Sequence, residues 1–371
     1  MIIGVTKEIT INEDRVSITP AGTHALVQSG HNVLIEKNAG LNSGFSDEDY
    51  TNAGASIVDN PKEVYKNSQL ILKVKAPQSN EIEMLRDDQI LFSYLHLAAE
   101  PELTNRLMTK GITSIAYETV QLNDGSLPLL NPMSEVAGRM SILVGSSLLS
   151  KSSNGSGILL SGVPGVKPAK VTILGAGVVG INAAKMAVGL GADVTILNRS
   201  PGKLKYLEDI YESRIKTLIL NEYSLAEAVK EADLVIGAIL IPGGKTPKLI
   251  KEYMVKSMKE GSVIVDVAID QGGCVETITH ATTHDNPTYE KYGVIHYSVA
   301  NMPGAYARTS TLALTNVTLP YVIQLAEKGF DETMKVDEDF AKGVNIFDGK
   351  CTYKSLASSL NLEYINLKDI I

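Results

Sequence analysis

Short apolar runs alternate with longer polar stretches through the first third of the chain. IIGV, NVLIE, LILKV, ILFSYL and TSIAYE, at residues 2–5, 32–36, 70–74, 90–95 and 113–118, read as short buried strands. Their apolar positions are nearly continuous rather than alternating, which suits strands covered on both faces of a parallel sheet. Polar segments with helical character, such as residues 21–29 and 100–110, separate them. The pattern resumes after residue 170 with VTIL, a helical stretch VVGINAAKMAVGLG, a second VTIL, and then LVIGAIL, SVIVDVAI and GVIHYSV. A long apolar helix is expected from about Thr309, in TSTLALTNVTLPYVIQLAEKG. Strand and helix signals in alternation predict an α/β protein built on parallel sheets. Asn131-Pro132-Met133-Ser134 reads as a turn with Ser134 as the N-cap of a helix that leaves the first domain. SSNGSG and VPGVKP form a loop of small residues before the second domain.

The segment GAGVVG, Gly175 to Gly180, lies between the first VTIL run and the helical stretch. Strand, tight glycine turn, helix, strand is the context that a dinucleotide fingerprint requires. Gly175 makes the turn, Gly177 admits a pyrophosphate close to the backbone, and Gly180 lets helix and strand pack closely. The helix start then offers free N–H groups and a positive dipole end. The competing reading is a turn that needs glycine only for packing.

Composition narrows the class. The chain has 371 residues, 44% hydrophobic and 20% charged, with a net charge of −8. It is long enough for two domains with separate cores. No basic block points to nucleic acid or an anionic membrane surface, and no apolar run reaches the roughly 20 residues of a membrane helix. Two cysteines, Cys274 and Cys351, form no disulfide framework and no CxxC pair. The start, MIIGVTKE, lacks the regions of a signal peptide. A cytoplasmic protein is expected.

Ligands of such sheets bind beyond the carboxyl ends of the strands. Lys73 and Lys75 close LILKVK, His96 follows ILFSYL, Asp266 and Asp270 flank the end of SVIVDVAID, and Asn301 follows HYSVA. Arg15 lies in the loop after the first strand. His96 is either an acid/base group or a core histidine bonded to a carbonyl. Arg15 is either a bidentate carboxylate clamp or a surface ion pair with Glu13 or Asp14. Lys75 either polarises a carbonyl or ends a strand in solvent. Asp270 either relays a proton or merely turns the chain before Gln271-Gly272-Gly273. His280 and His284 have i,i+4 spacing, but no carboxylate or cysteine completes a metal set, and no metal is expected. Cys274 has no base beside it in sequence and reads as passive.

Read together, these segments resemble the L-alanine dehydrogenase family, within the alanine dehydrogenase/transhydrogenase alpha-subunit superfamily. The supporting residues are GVTKEITINEDRVSITP, LILKVKAP, LFSYLHLA, GAGVVGINAAKMA, DLVIGAILIPGGKTPKLI, VIVDVAIDQGG and NMPGAYARTSTLALTNVTLPY, which span essentially the whole chain. The resemblance implies two Rossmann-like, doubly wound parallel-sheet domains with a cleft between them. The substrate domain is expected at 1–134 plus 305–371, and the NAD-binding domain at 135–304. It implies reversible, NAD-dependent oxidative deamination of L-alanine to pyruvate and ammonia by a cytoplasmic homohexamer. The family's catalytic residues fall on His96 and Asp270, and its substrate ligands on Arg15 and Lys75, joined by Asn301. Its nucleotide contacts fall on Ser134, Val178, Val179, Lys203, Ile239, Leu240, Val267, Ala268, Ile269, Asp270, Ser298, Val299, Ala300 and Asn301, alongside Gly175, Gly177 and Gly180. In the implied chemistry Arg15 fixes the carboxylate, hydride leaves Cα for the nicotinamide, and His96 activates the water that adds to the iminium. Lys75 and Asp270 stabilise the polar groups until ammonia departs.

The chain departs from the family at the adenosine end. An acidic residue usually stands roughly 20 residues past the glycines, on the ribose hydroxyls. Here Asn198 holds that position, followed by Arg199. Leu220 stands where a small polar residue is common, Thr279 where arginine is, and Tyr306-Ala307 where Val-Pro is. NAD is expected; Asn198 does not repel a 2′-phosphate, so the sequence does not enforce strict exclusion of NADP. Other readings are a soluble NAD-binding transhydrogenase-like component, an opine- or saccharopine-type dehydrogenase, and a nucleotide sensor without turnover.

Overall fold

The computed structural model describes residues 1–239 and 246–371. Its strands, in chain order, are β1 (Ile2–Val5), β2 (Asn32–Glu36), β3 (Ser56–Val58), β4 (Leu70–Lys75), β5 (Ile90–Tyr94), β6 (Thr113–Ala116) and β7 (Lys170–Leu174). There follow β8 (Asp193–Asn198), β9 (Ile215–Ile219), β10 (Leu234–Gly237), β11 (Val263–Asp266), β12 (Thr288–Lys291), β13 (Val294–Tyr297), β14 (Val344–Phe347) and β15 (Lys350–Cys351). The chain divides into one unit of residues 1–133 and 306–371 and a second of residues 134–305.

The first unit carries an eight-stranded sheet in the order β15-β14-β6-β5-β4-β1-β2-β3. The second carries seven strands in the order β12-β13-β11-β10-β7-β8-β9. Counted within each unit, the first sheet contains the order 3-2-1-4-5-6 of a doubly wound fold, and the second reads 3-2-1-4-5-7-6, the same order with the hairpin strand β12 added at its edge. The strand order reverses between β1 and β4 in one sheet and between β7 and β10 in the other, so each unit has one switch point where ligands bind. The central strands explain why the sheets form. β5 is buried throughout, and β4 is buried up to Lys75. Covered on both faces, they need continuous apolar runs.

The sheets are not wholly parallel. β14 runs antiparallel to β6, β15 to β14, and β12 to β13. Two tight hairpins produce the β12–β13 and β14–β15 pairs. Asp348-Gly349 and Tyr292-Gly293 each place two consecutive residues at positive φ, which a two-residue primed turn demands.

Two element boundaries also differ from expectation. The helix Asn131–Leu148 begins before Ser134, with Pro132 at its second position, where the missing N–H costs nothing. Ser134 therefore sits in the first turn and does not cap the helix. The long helix spans Ala307–Lys328 and starts two residues before Thr309. Its Leu314, Val322, Leu325 and Ala326 join Ile3, Val5, Ile18 and Leu26 in the core of the first unit. Arg308 anchors its start by donating to the carbonyls of Ser43 and Gly44 at 3.2 and 2.7 Å.

Candidate active site

Arg15 leaves the loop after β1 at the switch point of the first unit. It is no surface ion pair. Its side chain and that of Glu13 are both buried, and the two form a fork: Nε donates to Oε1 and Nη2 to Oε2, each at 2.6 Å. Asp14, the other sequence-adjacent partner, instead accepts from Asn42 Nδ2 at 2.5 Å. Met133 Sδ lies 3.0 Å from Nη1. Burial opposes the charge on Arg15, but pairing with Glu13 outweighs it and raises the guanidinium pKa. A planar cation oriented in this way is suited to bidentate recognition of a second carboxylate.

The two lysines of β4 have different fates. Lys73 is fully buried and donates to Glu81 at 2.7 Å and to Glu8 at 3.2 Å. Burial opposes its charge, yet these carboxylates hold it well above the ordinary lysine range. It is a structural ion, and Tyr65 completes the cluster by donating to Glu81. Lys75 lies at the strand end, where the β4–β5 pairing is irregular. Glu8 Oε1 accepts the N–H groups of Val74 and Lys75 at 2.6 and 3.3 Å, so one carboxylate ties the buried ion to the backbone of Lys75.

His96 is not a core histidine. Its side chain is 53% exposed and, with Lys75, lines a pocket of about 400 Å³. Its ring stacks on Tyr94, with centroids 6.2 Å apart and planes 9° apart. Tyr94 donates its hydroxyl to the Leu129 carbonyl at 2.6 Å, and burial pushes the phenol pKa up, so this bond persists at any physiological pH. The first unit thus gathers a guanidinium, an ammonium and an imidazole at the carboxyl edge of one sheet.

The glycine loop of the second unit fits a dinucleotide. Gly175 has φ 109°, and a Cβ there would come within 2.6 Å of the Ala238 carbonyl oxygen. A Cβ on Gly180 would collide with the Gly175 carbonyl oxygen, so this glycine is required for packing. A Cβ on Gly177 would meet nothing within 4 Å, which leaves the open cradle that a pyrophosphate needs. Gly177 is also the N-cap of the helix Val178–Gly189 and has no side chain to satisfy its first N–H groups. Val178 and Val179 form that first turn.

The remaining cofactor candidates in this unit surround its strand ends. Asn198 ends β8, and its Oδ1 accepts the Ala176 N–H at 3.3 Å. Ser200 caps the helix Pro201–Tyr211 and accepts the Lys203 N–H. Leu220 follows β9 and Ile239 lies two residues past β10; Leu240 falls outside the described residues. Val267, Ala268, Ile269 and Asp270 form a 3₁₀ turn directly after β11. Ser298, Val299, Ala300 and Asn301 follow β13. Asn301 has φ 59°, which asparagine tolerates, and its N–H donates to Asp270 Oδ1 at 3.3 Å. Ser134 belongs to this unit as well.

Cys274 does have a base beside it. The carboxylate of Asp266 accepts from its Sγ at 3.4 Å and from its N–H at 2.9 Å. It also accepts from the N–H groups of Ala268 and Val275. This keeps the thiol inert, because burial and the neighbouring negative charge both push its pKa well up. Cys351 is buried too, and burial raises its thiol pKa. Iodoacetamide at pH 8 is expected to label neither cysteine in the native protein and both in denaturant. Rapid labelling of the native protein would contradict this burial.

His280 and His284 do not come together on a metal. His280 stacks on Tyr289 with centroids 5.5 Å apart, and His284 Nε2 lies 3.4 Å from the Asn301 carbonyl. Among the described residues no group of His, Cys, Asp and Glu is placed to hold a metal ion, and no helix is long and apolar enough to cross a membrane.

Known proteins resemble this chain over its whole length. Residues 4–137 match the family model described as "Alanine dehydrogenase/PNT, N-terminal domain", and residues 141–354 match "Alanine dehydrogenase/PNT, C-terminal domain". An alanine dehydrogenase of Methanococcus maripaludis is 58% identical over 98% of this chain and 98% of its own. One from Bacillus subtilis is 57% identical over 98% of this chain and 96% of its own. A solved L-alanine dehydrogenase is 50% identical, covers 97% of this chain and 99% of its own, and superposes with a TM-score of 0.94. On its two matched domains and its full-length relatives, the chain belongs to the alanine dehydrogenase/PNT family.

Proposed function

We propose that this protein catalyses the reversible, NAD-dependent oxidative deamination of L-alanine to pyruvate and ammonia. The observation that carries the reading is the pocket lined by Lys75 and His96, with Arg15 in the loop past β1 of the same sheet, in a chain 58% identical to an alanine dehydrogenase. The residues act as follows. Arg15, oriented by Glu13, binds the substrate carboxylate and fixes the direction of the Cα–H bond; such positioning supplies several kcal/mol of a barrier. Lys75 polarises the carbonyl oxygen of pyruvate. His96 takes a proton from the water that adds at Cα and returns it as ammonia departs, so it must change protonation state as the direction reverses. Asp270, oriented by the Asn301 N–H, assists this proton traffic. The bound nicotinamide supplies the acceptor for the Cα hydride. The glycine loop, Ser134, Lys203, Ile239, Leu240 and the segments 267–270 and 298–301 hold the dinucleotide, and Asn301 serves the substrate as well. Alanine deuterated at Cα tests the reading: deuterium should appear on the reduced nicotinamide, with pyruvate and ammonia in equal amounts. Binding of NAD without transfer would reject it.

Asn198 sets the preference at the adenosine ribose. Its Oδ1 is engaged with Ala176, which leaves the amide NH₂ as the group available to the ribose. No carboxylate stands there to repel a 2′-phosphate, and Arg199 follows. NAD is preferred and NADP is used measurably. Asn198→Asp should lower the ratio of kcat/KM for NADP over NAD by about tenfold or more, through like-charge repulsion. An unchanged ratio would remove Asn198 from the specificity determinants.

The same reading includes a homohexamer in the cytoplasm. Exposed apolar residues Leu159, Val163 and Val166 on one loop support contact between subunits, and two unpaired cysteines support a reducing compartment.

A further inference from the structure

Glu118 takes no part in the chemistry described above, yet its carboxylate is aimed at the backbone that carries the imidazole. β5 and β6 pair in parallel with Ser93 opposite Ala116, so the register places Leu95 opposite Glu118 two residues on. By then the ladder has ended, because β6 gives way to a 3₁₀ turn, Tyr117–Thr119. The N–H groups of Leu95 and His96 would be left without strand partners, and Glu118 supplies the acceptor. Its Oε1 accepts the His96 N–H at 2.6 Å, and both oxygens accept the Leu95 N–H at 3.3 Å. His96 itself has φ 49°, a left-handed conformation that is sparsely populated outside glycine and persists where the surrounding structure supports it. Glu118 is only 13% exposed, and its Oε1 lies 3.8 Å from His96 Nδ1, beyond hydrogen-bond length. The carboxylate's hydrogen bonds therefore go to the backbone, its contact with the ring is only an ion pair at 3.8 Å, and Tyr94 stacks on the ring.

We propose that Glu118 is a positioning residue for the reaction, holding His96 in its left-handed backbone conformation so that the imidazole faces the pocket. This rests on the assignment of His96 as the acid/base group. Glu8 makes a similar contact at Lys75, since it too accepts two successive N–H groups, here from the last two residues of β4.

The test is a double-mutant cycle on the full-length enzyme. Displacing a reacting group by about 1 Å costs on the order of 100-fold in rate. Glu118→Ala is expected to lower kcat about 10- to 100-fold, with the alanine KM and the NADH dissociation constant within about twofold. Glu118→Gln keeps an acceptor oxygen for the His96 N–H and should recover most of kcat. In a His96→Ala background, Glu118→Ala should change kcat by less than about twofold, because its effect passes through the imidazole. Full turnover in Glu118→Ala, or an equal loss with and without His96, would overturn the proposal. Unimpaired turnover in His96→Ala alone would instead defeat the acid/base assignment. Glu118→Gln keeps the test valid if the alanine variant fails to fold.

Discussion

Replacing His96 with alanine is expected to reduce kcat by about 10²- to 10⁴-fold, the range of general acid–base catalysis, while the alanine KM changes little. The asymmetry follows from where the residue sits. His96 is half exposed two residues past β5, and its hydrogen bond to Glu118 comes from the backbone and not the ring, so removing the ring leaves the core of the first unit intact. The substrate carboxylate is held by Arg15, from a different loop, so ground-state binding survives. What disappears is the group that moves the proton when water adds and ammonia leaves. Steady-state rates in both directions, with melting temperature as a control for folding, check this. Turnover unchanged within about twofold would remove His96 from the chemistry.

The second large effect belongs to Arg15, where two consequences must be kept apart. Arg15→Ala removes the carboxylate clamp and also strands the Glu13 carboxylate in a buried site. Breaking a buried pair from one side costs about 3–5 kcal/mol, so this variant should melt at a much lower temperature as well as lose substrate affinity. Arg15→Lys separates the two. A lysine keeps positive charge beside Glu13 but cannot present the planar fork. Losing one charge-assisted bond to the substrate should raise the alanine KM by about 10- to 100-fold, with a smaller change in kcat. An unchanged KM in a folded Arg15→Lys variant would place the carboxylate elsewhere.

Much of this was legible in the apolar pattern because the central strands are buried on both faces. β1, β2, β4 and β5 stand out as nearly continuous apolar runs, and the polar residues that follow them mark the edge where ligands bind. β3 and β9 escaped because they lie at sheet edges and have few buried positions. The antiparallel strands were signalled by Asp348-Gly349 and Tyr292-Gly293, turn dipeptides that the parallel reading passed over. At the site, His96 and Lys75 could be picked as polar residues at or just past strand ends, and Arg15 as a cation in the loop after the first strand. Lys73 could not be told from Lys75, because only the packing of Glu8 and Glu81 around it makes it a structural ion. Glu118 left no local signal. Its role depends on the register between β5 and β6, a long-range fact that no spacing encodes. Asp266 is the same case: four donors converge on it only once the chain has turned back through Cys274 and Val275.

The most direct test of the account is the initial rate of nicotinamide reduction by the purified protein at mildly alkaline pH. L-alanine would be offered with NAD and with NADP, beside L-serine and L-lysine. Rapid reduction with alanine and NAD, a slower but measurable rate with NADP, and little with lysine are expected. Binding of NAD with no reduction by any of these amino acids would contradict it.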